Sequence, residues 1–116
     1  MGAEELQKRT QAFGLNIIRL VQALPDRGPA TASVRQLIRC GTSGGANFRS
    51  ARRARSGADF VAKLKIVEEE CDESIYWLEM LRDMGLGAEP IILLIDEANQ
   101  ILSIIVASIK TVRKKQ

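Results

Sequence analysis

Residues 56–84 read SGADFVAKLKIVEEECDESIYWLEMLRDM, and the spacing of their apolar side chains predicts one helix of a helical bundle. Buried positions that alternate at intervals of three and four are the a/d pattern of packed helices. The segment Ser56-Gly57-Ala58-Asp59 has the S-x-x-D form of a capping box, which places the start of the helix. We therefore predict a helix over residues 57–84. Its packing seam comprises Phe60, Leu64, Val67, Cys71, Ser74, Leu78 and Leu81.

Three further segments carry a helical period, and short turns containing Pro or Gly separate them. We predict helices over residues 4–24, 31–55 and 90–113, with Thr31 as an N-cap and Pro90 in a first turn. Strand signals are absent. The sequence thus predicts a single all-α domain over residues 1–116, an up-down-up-down four-helix bundle. The fourth helix has a wide apolar face of Ile91, Leu94, Ile95, Ala98, Ile101, Leu102, Ile105, Ile109 and Val112.

The composition argues against catalysis. The 116 residues include no histidine, which removes the commonest general base and the commonest zinc ligand, and no nucleophile–base pair is visible. We predict a protein that is not an enzyme and that uses no cofactor. Cys40 and Cys71 fall within helical patterns, so we expect buried free thiols in a reducing cytoplasm. Acidic residues near the N-terminus and the shortness of the longest apolar run, 91–95, argue against a signal peptide and a membrane span.

Residues 38–56, IRCGTSGGANFRSARRARS, contain three glycines within five positions. Neither G-x-x-x-x-G-K-[ST] nor G-x-G-x-x-G is present, and the helical period continues through the glycines. Each glycine costs about 0.8–1.0 kcal/mol relative to Ala in a helix interior, so a compensating gain is needed. We interpret Gly41 and Gly45 as sites where another helix packs closely; a phosphate-binding loop and a local kink are the alternatives.

Four arginines of the second helix project within a narrow arc. At about 100° per residue, they occupy an arc of roughly 80° that lies about 120° from the centre of the apolar face, so they point outward. We call this set the arginine face: Arg35, Arg39, Arg49 and Arg53. An ordinary solvated surface, a nucleic-acid interface and a contact with an acidic protein are all compatible with it. Lys63, Lys65 and the basic C-terminal residues could extend a nucleic-acid interface.

Arg52 and Arg55 project instead toward the packing side of the second helix. The third helix supplies Glu70 and Glu73, and we predict ion pairs between these arginines and glutamates, within the chain or between subunits. A metal site at Glu70-x-x-Glu73 is the alternative. Di-iron bundles use Glu-x-x-His motifs, and the sequence has no histidine, so we predict no metal.

The fourth helix is more apolar than one core-facing side requires. Ile92, Leu93, Ile104 and Ala107 fall outside its main apolar arc and would be exposed to water in a monomer. This pattern predicts a homo-oligomer.

The run from Cys40 to Leu86 resembles the bacterial four-helix bundle family linked to 23S rRNA intervening sequences. That family is in turn similar to the accessory variability determinant proteins of diversity-generating retroelements. The resemblance rests on Thr42-Ser43-Gly44-Gly45-Ala46-Asn47, Ala51, Ser56, Asp59-Phe60, Glu70, Glu73 and Tyr76-Trp77-Leu78-Glu79. It covers about 40% of the chain tightly and the flanking helices by pattern only.

The resemblance implies a small non-enzymatic protein that assembles into a ring, with a pentamer as the specific expectation. It also implies RNA or DNA as a partner, together with a reverse transcriptase or another ribonucleoprotein component. Ser50 and Arg55 stand where the family commonly has an acid, so the second helix is more basic than the family pattern. We therefore predict a cytoplasmic binding or scaffold protein that contacts RNA or a ribonucleoprotein. A structural adaptor for an acidic protein is the alternative.

Overall fold

The computed structural model describes residues 1–25 and 28–115, and it contains four long helices. These are α1 (Ala3–Ala23), α2 (Thr31–Ala51), α3 (Gly57–Asp83) and α4 (Ala88–Lys115), with a short 3-10 helix over Gly28–Ala30. The described residues form no strand. The prediction of an all-helical domain is confirmed, and the molecule measures 48 × 20 × 19 Å. A 28-residue helix is about 42 Å long, so the bundle is one helix in length.

The helix boundaries agree with the predictions within two residues except at the end of α2. That helix ends at Ala51 rather than Arg55, and residues 52–56 form the connection to α3. The predicted cap of α3 is confirmed, because Ser56 Oγ accepts a hydrogen bond of 3.1 Å from the Asp59 backbone N–H. Thr31 is not the N-cap of α2 but its first residue, and its hydroxyl donates to the Gly28 carbonyl at 2.8 Å.

The connection after α3 is a Schellman motif, which ends the helix with its last carbonyl groups satisfied. The Leu86 N–H donates to the Leu81 carbonyl at 3.0 Å, and the Gly85 N–H donates to the Arg82 carbonyl at 2.9 Å. Gly85 has a φ of 79°, which is favourable only for a residue without Cβ. Four residues, 84–87, thus connect α3 to α4.

Each helix buries one apolar stripe in a common core. The predicted seam of α3 is confirmed from Leu64 to Leu81, but Val61 is buried in place of Phe60, which is only half-buried. The wide face predicted for α4 lies against the core: six of its nine residues are buried and the other three are partly buried. Ile92 and Leu93 are exposed over 58% and 63% of their surfaces.

Each helix packs against two others within the chain. The helix α2 packs on α1 and α3, α3 packs on α4, and α4 makes a less extensive contact with α1. The α1–α4 contact includes a polar clasp. The Arg9 guanidinium donates to both carboxylate oxygens of Glu97 at 2.7 Å and to the Gln100 amide oxygen at 2.6 Å. No sequence pattern predicts this clasp, because it depends on the relative placement of two helices that are distant in the chain.

Of the described helices, α4 alone is long and apolar enough to cross a membrane by length and composition, with a mean hydropathy of 1.7 over an 18-residue window. A core helix of a soluble protein satisfies the same criterion, so this property is a weak indication. Here the stripe from Ile91 to Ile109 packs on the other helices.

Candidate nucleic-acid interface

Glycines hold α2 against α1 and thereby fix the orientation of the arginine face. A Cβ atom added to Gly45 would lie 3.2 Å from the Thr10 carbonyl oxygen, and one added to Gly14 would lie 3.2 Å from the Gly41 carbonyl oxygen. A Cβ atom at Gly41 would lie 2.9 Å from Ile17 Cγ1. Gly41 and Gly45 thus face α1 at close approach, which is the packing role that the sequence predicts for them. Gly41 and Gly45 lie inside a continuous helix rather than in a loop.

Three members of the arginine face are exposed and unpaired with acids. Arg35, Arg49 and Arg53 are exposed, and within the described residues no carboxylate lies within 4.0 Å of their guanidinium groups. Arg53 lies two residues beyond the end of α2, in the connection to α3, so the helical projection that grouped it with the other three does not apply to it. These three exposed and unpaired guanidinium groups remain candidates for phosphate contacts.

Arg39, the fourth member, is engaged by α3. Its Nη1 lies 3.2 Å from Glu70 Oε2, its Nη2 pairs with Glu73, and its Nε donates to Gln36 at 3.1 Å. The hydrogen bond to Glu73 raises the pKa of the Arg39 guanidinium above its ordinary value. An arginine held by two carboxylates offers little net charge to a phosphate. The prediction that Arg39 contacts phosphate is therefore corrected.

The ion pairs predicted for Arg52 and Arg55 are also corrected within this chain. Arg52 Nη1 donates to the Gln7 side chain at 2.6 Å, and the Arg55 backbone N–H donates to Asp59 Oδ2 at 3.2 Å. Their projected directions assumed that α2 continues to residue 55, but the helix ends at Ala51. Arg39 lies at the edge of the arginine face nearest α3, and it takes the two glutamates instead.

The two predicted lysines differ in their surroundings. Lys63 Nζ lies 3.1 Å from Asp59 Oδ2, one turn earlier on α3, and both side chains are about a third exposed. The Arg55 backbone N–H, followed by the Lys63 ammonium, lowers the pKa of the Asp59 carboxyl. Lys65 is exposed and has no carboxylate within 4.0 Å among the described residues. Lys65 is therefore the better candidate for a phosphate contact.

The other chemically active groups of the described chain are placed in ways that do not assemble a further site. Among the described residues, no three His, Cys, Asp or Glu side chains are grouped so that they could hold a metal ion. Cys40 and Cys71 are free and buried. Burial raises the pKa of both thiols, that of Cys71 to about 12, and a protonated thiol is a poor nucleophile.

Comparison with known proteins gives the family. A model of the family described as "23S rRNA-intervening sequence protein" matches residues 4–107. The chain therefore belongs to the 23S rRNA-intervening sequence protein family. It is also similar to a solved structure from Bacteroides thetaiotaomicron VPI-5482, a protein of unknown function from the S23 ribosomal protein family determined at 1.70 Å. The two share 32% identity over 95% of this chain and 99% of the other, with a TM-score of 0.85. No curated protein matches the chain significantly.

Proposed function

We propose that the protein is a non-enzymatic, cytoplasmic scaffold that binds RNA or a ribonucleoprotein through the arginine face. The observation that supports this most is the set of three exposed guanidinium groups, those of Arg35, Arg49 and Arg53, without acidic partners among the described residues. Guanidinium groups donate to phosphate oxygens in a fixed fork geometry, so they suit a phosphate backbone. Contacts of this kind give affinity with little choice of sequence.

The proposed architecture is an antiparallel up-down-up-down bundle that assembles into a ring. Contacts that pair the start of α1 with the end of α2 support the antiparallel arrangement: Gln7 meets Arg52, Thr10 meets Gly45, and Gly14 meets Gly41. Exposed apolar residues on two helices support self-association, namely Leu15 and Ile18 on α1 and Ile92 and Leu93 on α4. A five-fold ring is the specific proposal, with one head-to-tail contact repeated between neighbours.

A ring would repeat the arginine face around the assembly and raise the avidity for a long polyanion. Light scattering at micromolar concentration measures the mass directly. The proposal expects five times the 12.8 kDa mass of one chain. A monomer would contradict the ring and the avidity, and a dimer or tetramer would keep self-association but contradict the pentamer.

Fluorescence anisotropy with a labelled RNA at low salt tests the proposed function itself. We expect the wild-type protein to bind and the double variant Arg35→Gln/Arg49→Gln to bind more weakly. Arg19→Gln/Arg82→Gln is the matched control, because it removes the same charge from outside the arginine face. Equal loss of affinity in the two variants would mean that net charge alone decides affinity. Absence of RNA binding at low salt would favour the alternative, a structural adaptor that binds an acidic protein and has no nucleic-acid role.

A further inference from the structure

The four helices leave a cleft of about 480 Å³ at one end of the bundle. Its walls are residues 1–6 at the start of the chain, Phe48 of α2, Phe60 of α3, and α4 residues between 104 and 112. Phe48 is 3% exposed and forms the back of the cleft, whereas Phe60 is half-buried at the wall. Phe60 packs against the core but is only partly buried, and it lines this cleft.

The same end of the bundle carries a large excess of positive charge. Residues 1–11, 45–66 and 104–115, which we call the cationic end, include every segment that lines the cleft. They hold twelve Lys and Arg and three Asp and Glu, a net charge of +9. The remaining described residues hold four Lys and Arg and ten Asp and Glu, a net charge of −6. The net charge of +3 for the whole chain therefore does not reveal that positive and negative residues are concentrated in different parts of the molecule.

Two of the three acids of the cationic end lie beside lysines rather than arginines. Asp59 pairs with Lys63 at 3.1 Å, and Glu4 lies 3.8 Å from Lys8. The exposed Arg53 and Arg55, together with the basic C-terminus of α4, have no carboxylate within 4.0 Å of their side chains among the described residues. The cleft, which is apolar and contains two aromatic residues, therefore lies at the end of the bundle that carries these unpaired cations.

We propose that the cationic end binds a single-stranded nucleic acid, with one base in the cleft against Phe60 and the adjoining phosphates on the surrounding cations. This inference rests on the proposed function and deepens it by naming the strand type. Proteins that bind single strands combine a cationic groove with aromatic rings on which bases stack. A duplex keeps its bases paired and stacked inside, so it could contact the cations but could not fill the cleft.

The experiment compares three polyanions with equal numbers of phosphates: an oligouridine, an RNA duplex and a linear polyphosphate. The variant Ala107→Gln places a larger uncharged side chain at the wall of the cleft and so narrows it. Because Ala107 is exposed, we expect this variant to fold. Ala12→Gln makes the same substitution at an exposed position on α1 outside the cleft. Phe60→Leu removes the aromatic ring and keeps an apolar side chain.

We expect the oligouridine to bind about 5- to 150-fold more tightly than polyphosphate, the range that one stacked base supplies. Ala107→Gln and Phe60→Leu should remove most of this advantage and leave polyphosphate binding unchanged, while Ala12→Gln changes neither. Equal affinity for oligouridine and polyphosphate, or preference for the duplex, would overturn the cleft assignment and leave the proposed polyanion binding intact. Failure of all three ligands to bind would contradict both proposals.

Discussion

Arg39 and Glu70 lie 3.2 Å apart across the α2–α3 contact, and Glu73 pairs with the same guanidinium. This relationship divides the arginine face into one member held by α3 and three that remain exposed. The division depends on carboxylates of the protein occupying donors that could otherwise contact phosphate. Removal of the carboxylates should therefore release Arg39 for RNA binding.

We expect Glu70→Gln/Glu73→Gln to increase RNA affinity and to steepen its salt dependence. One additional phosphate contact changes the slope of log K against log salt by about 0.7–0.9. The control Glu69→Gln/Asp72→Asn removes the same charge at exposed positions of α3. Anisotropy titrations over a range of salt measure both variants. The same increase in both would show that Arg39 has no special role.

Substitution of Gly45 tests the close approach of α1 and α2. Since a Cβ atom there already lies 3.2 Å from an α1 carbonyl oxygen, a larger side chain must push the helices apart. We expect Gly45→Leu to lower the free energy of unfolding by about 1–3 kcal/mol or more, measured by urea denaturation.

Gly44→Ala is the matched control for this prediction. Its Cβ atom would meet only Cys71 Sγ, at an ordinary contact distance of 3.9 Å. We expect it to stabilise the protein by up to about 1 kcal/mol, because Ala has the higher helix propensity. Unchanged stability of the Gly45→Leu variant would contradict the close packing.

The buried thiols should be unreactive in the folded protein. Burial raises the pKa of Cys71 from 9.0 to about 12, so the thiolate is scarce at neutral pH. We expect iodoacetamide to label Cys40 and Cys71 slowly in native protein and quickly in denaturant, as mass spectrometry can measure. Rapid labelling of Cys71 in the native state would contradict its burial.

The same shift predicts a loss of stability at alkaline pH. The pKa of Cys71 is higher in the folded than in the unfolded protein, so the protonated thiol favours the folded state. Its contribution to the free energy of unfolding is complete below about pH 9 and is lost as the pH rises toward 12. Cys71→Ala should show a weaker decline than the wild type between these values. A decline of equal size in both proteins would exclude Cys71 as its source.

The Arg9–Glu97 clasp should contribute measurably to the α1–α4 contact. Both side chains are partly shielded, at 22% and 30% exposure, and the pair is bidentate. We expect a double-mutant cycle with alanine substitutions to give a coupling energy of about 1 kcal/mol. The comparison pair Lys8–Glu4, at 3.8 Å and more than 70% exposed, should give almost none. Equal coupling in the two pairs would contradict the role of the clasp.

Local patterns predicted most of the fold. The alternation from Leu64 to Leu81, the cap at Ser56 and the turns at proline and glycine indicate four helices without knowledge of any distant contact. The end of α2 was mispredicted, because Ser56 must begin α3 in an extended conformation with φ at −158°. Residues 52–56 form the connection that leads into this cap, so α2 ends before Arg55.

Side-chain contacts between different helices could not be predicted from the sequence. Whether Arg39, Arg52 or Arg55 meets Glu70 depends on the rotation and offset of α2 against α3, and a helical projection contains neither quantity. The cationic end could not be predicted either, because it depends on the relative placement of helices that are distant in the chain. It consists of residues 1–11, 45–66 and 104–115. The arginine face itself was visible because its spacing lies almost entirely within one helix.

The salt dependence of RNA affinity tests the proposed role of the arginine face most directly. A plot of log K against log salt should be linear for the wild type. In Arg35→Gln/Arg49→Gln its slope should be less steep, by about 0.7–0.9 for each arginine–phosphate contact that the substitutions remove. Arg19→Gln/Arg82→Gln should keep the wild-type slope. A slope that Arg35→Gln/Arg49→Gln leaves unchanged, or a wild-type protein that binds no RNA at low salt, would contradict phosphate binding by this face.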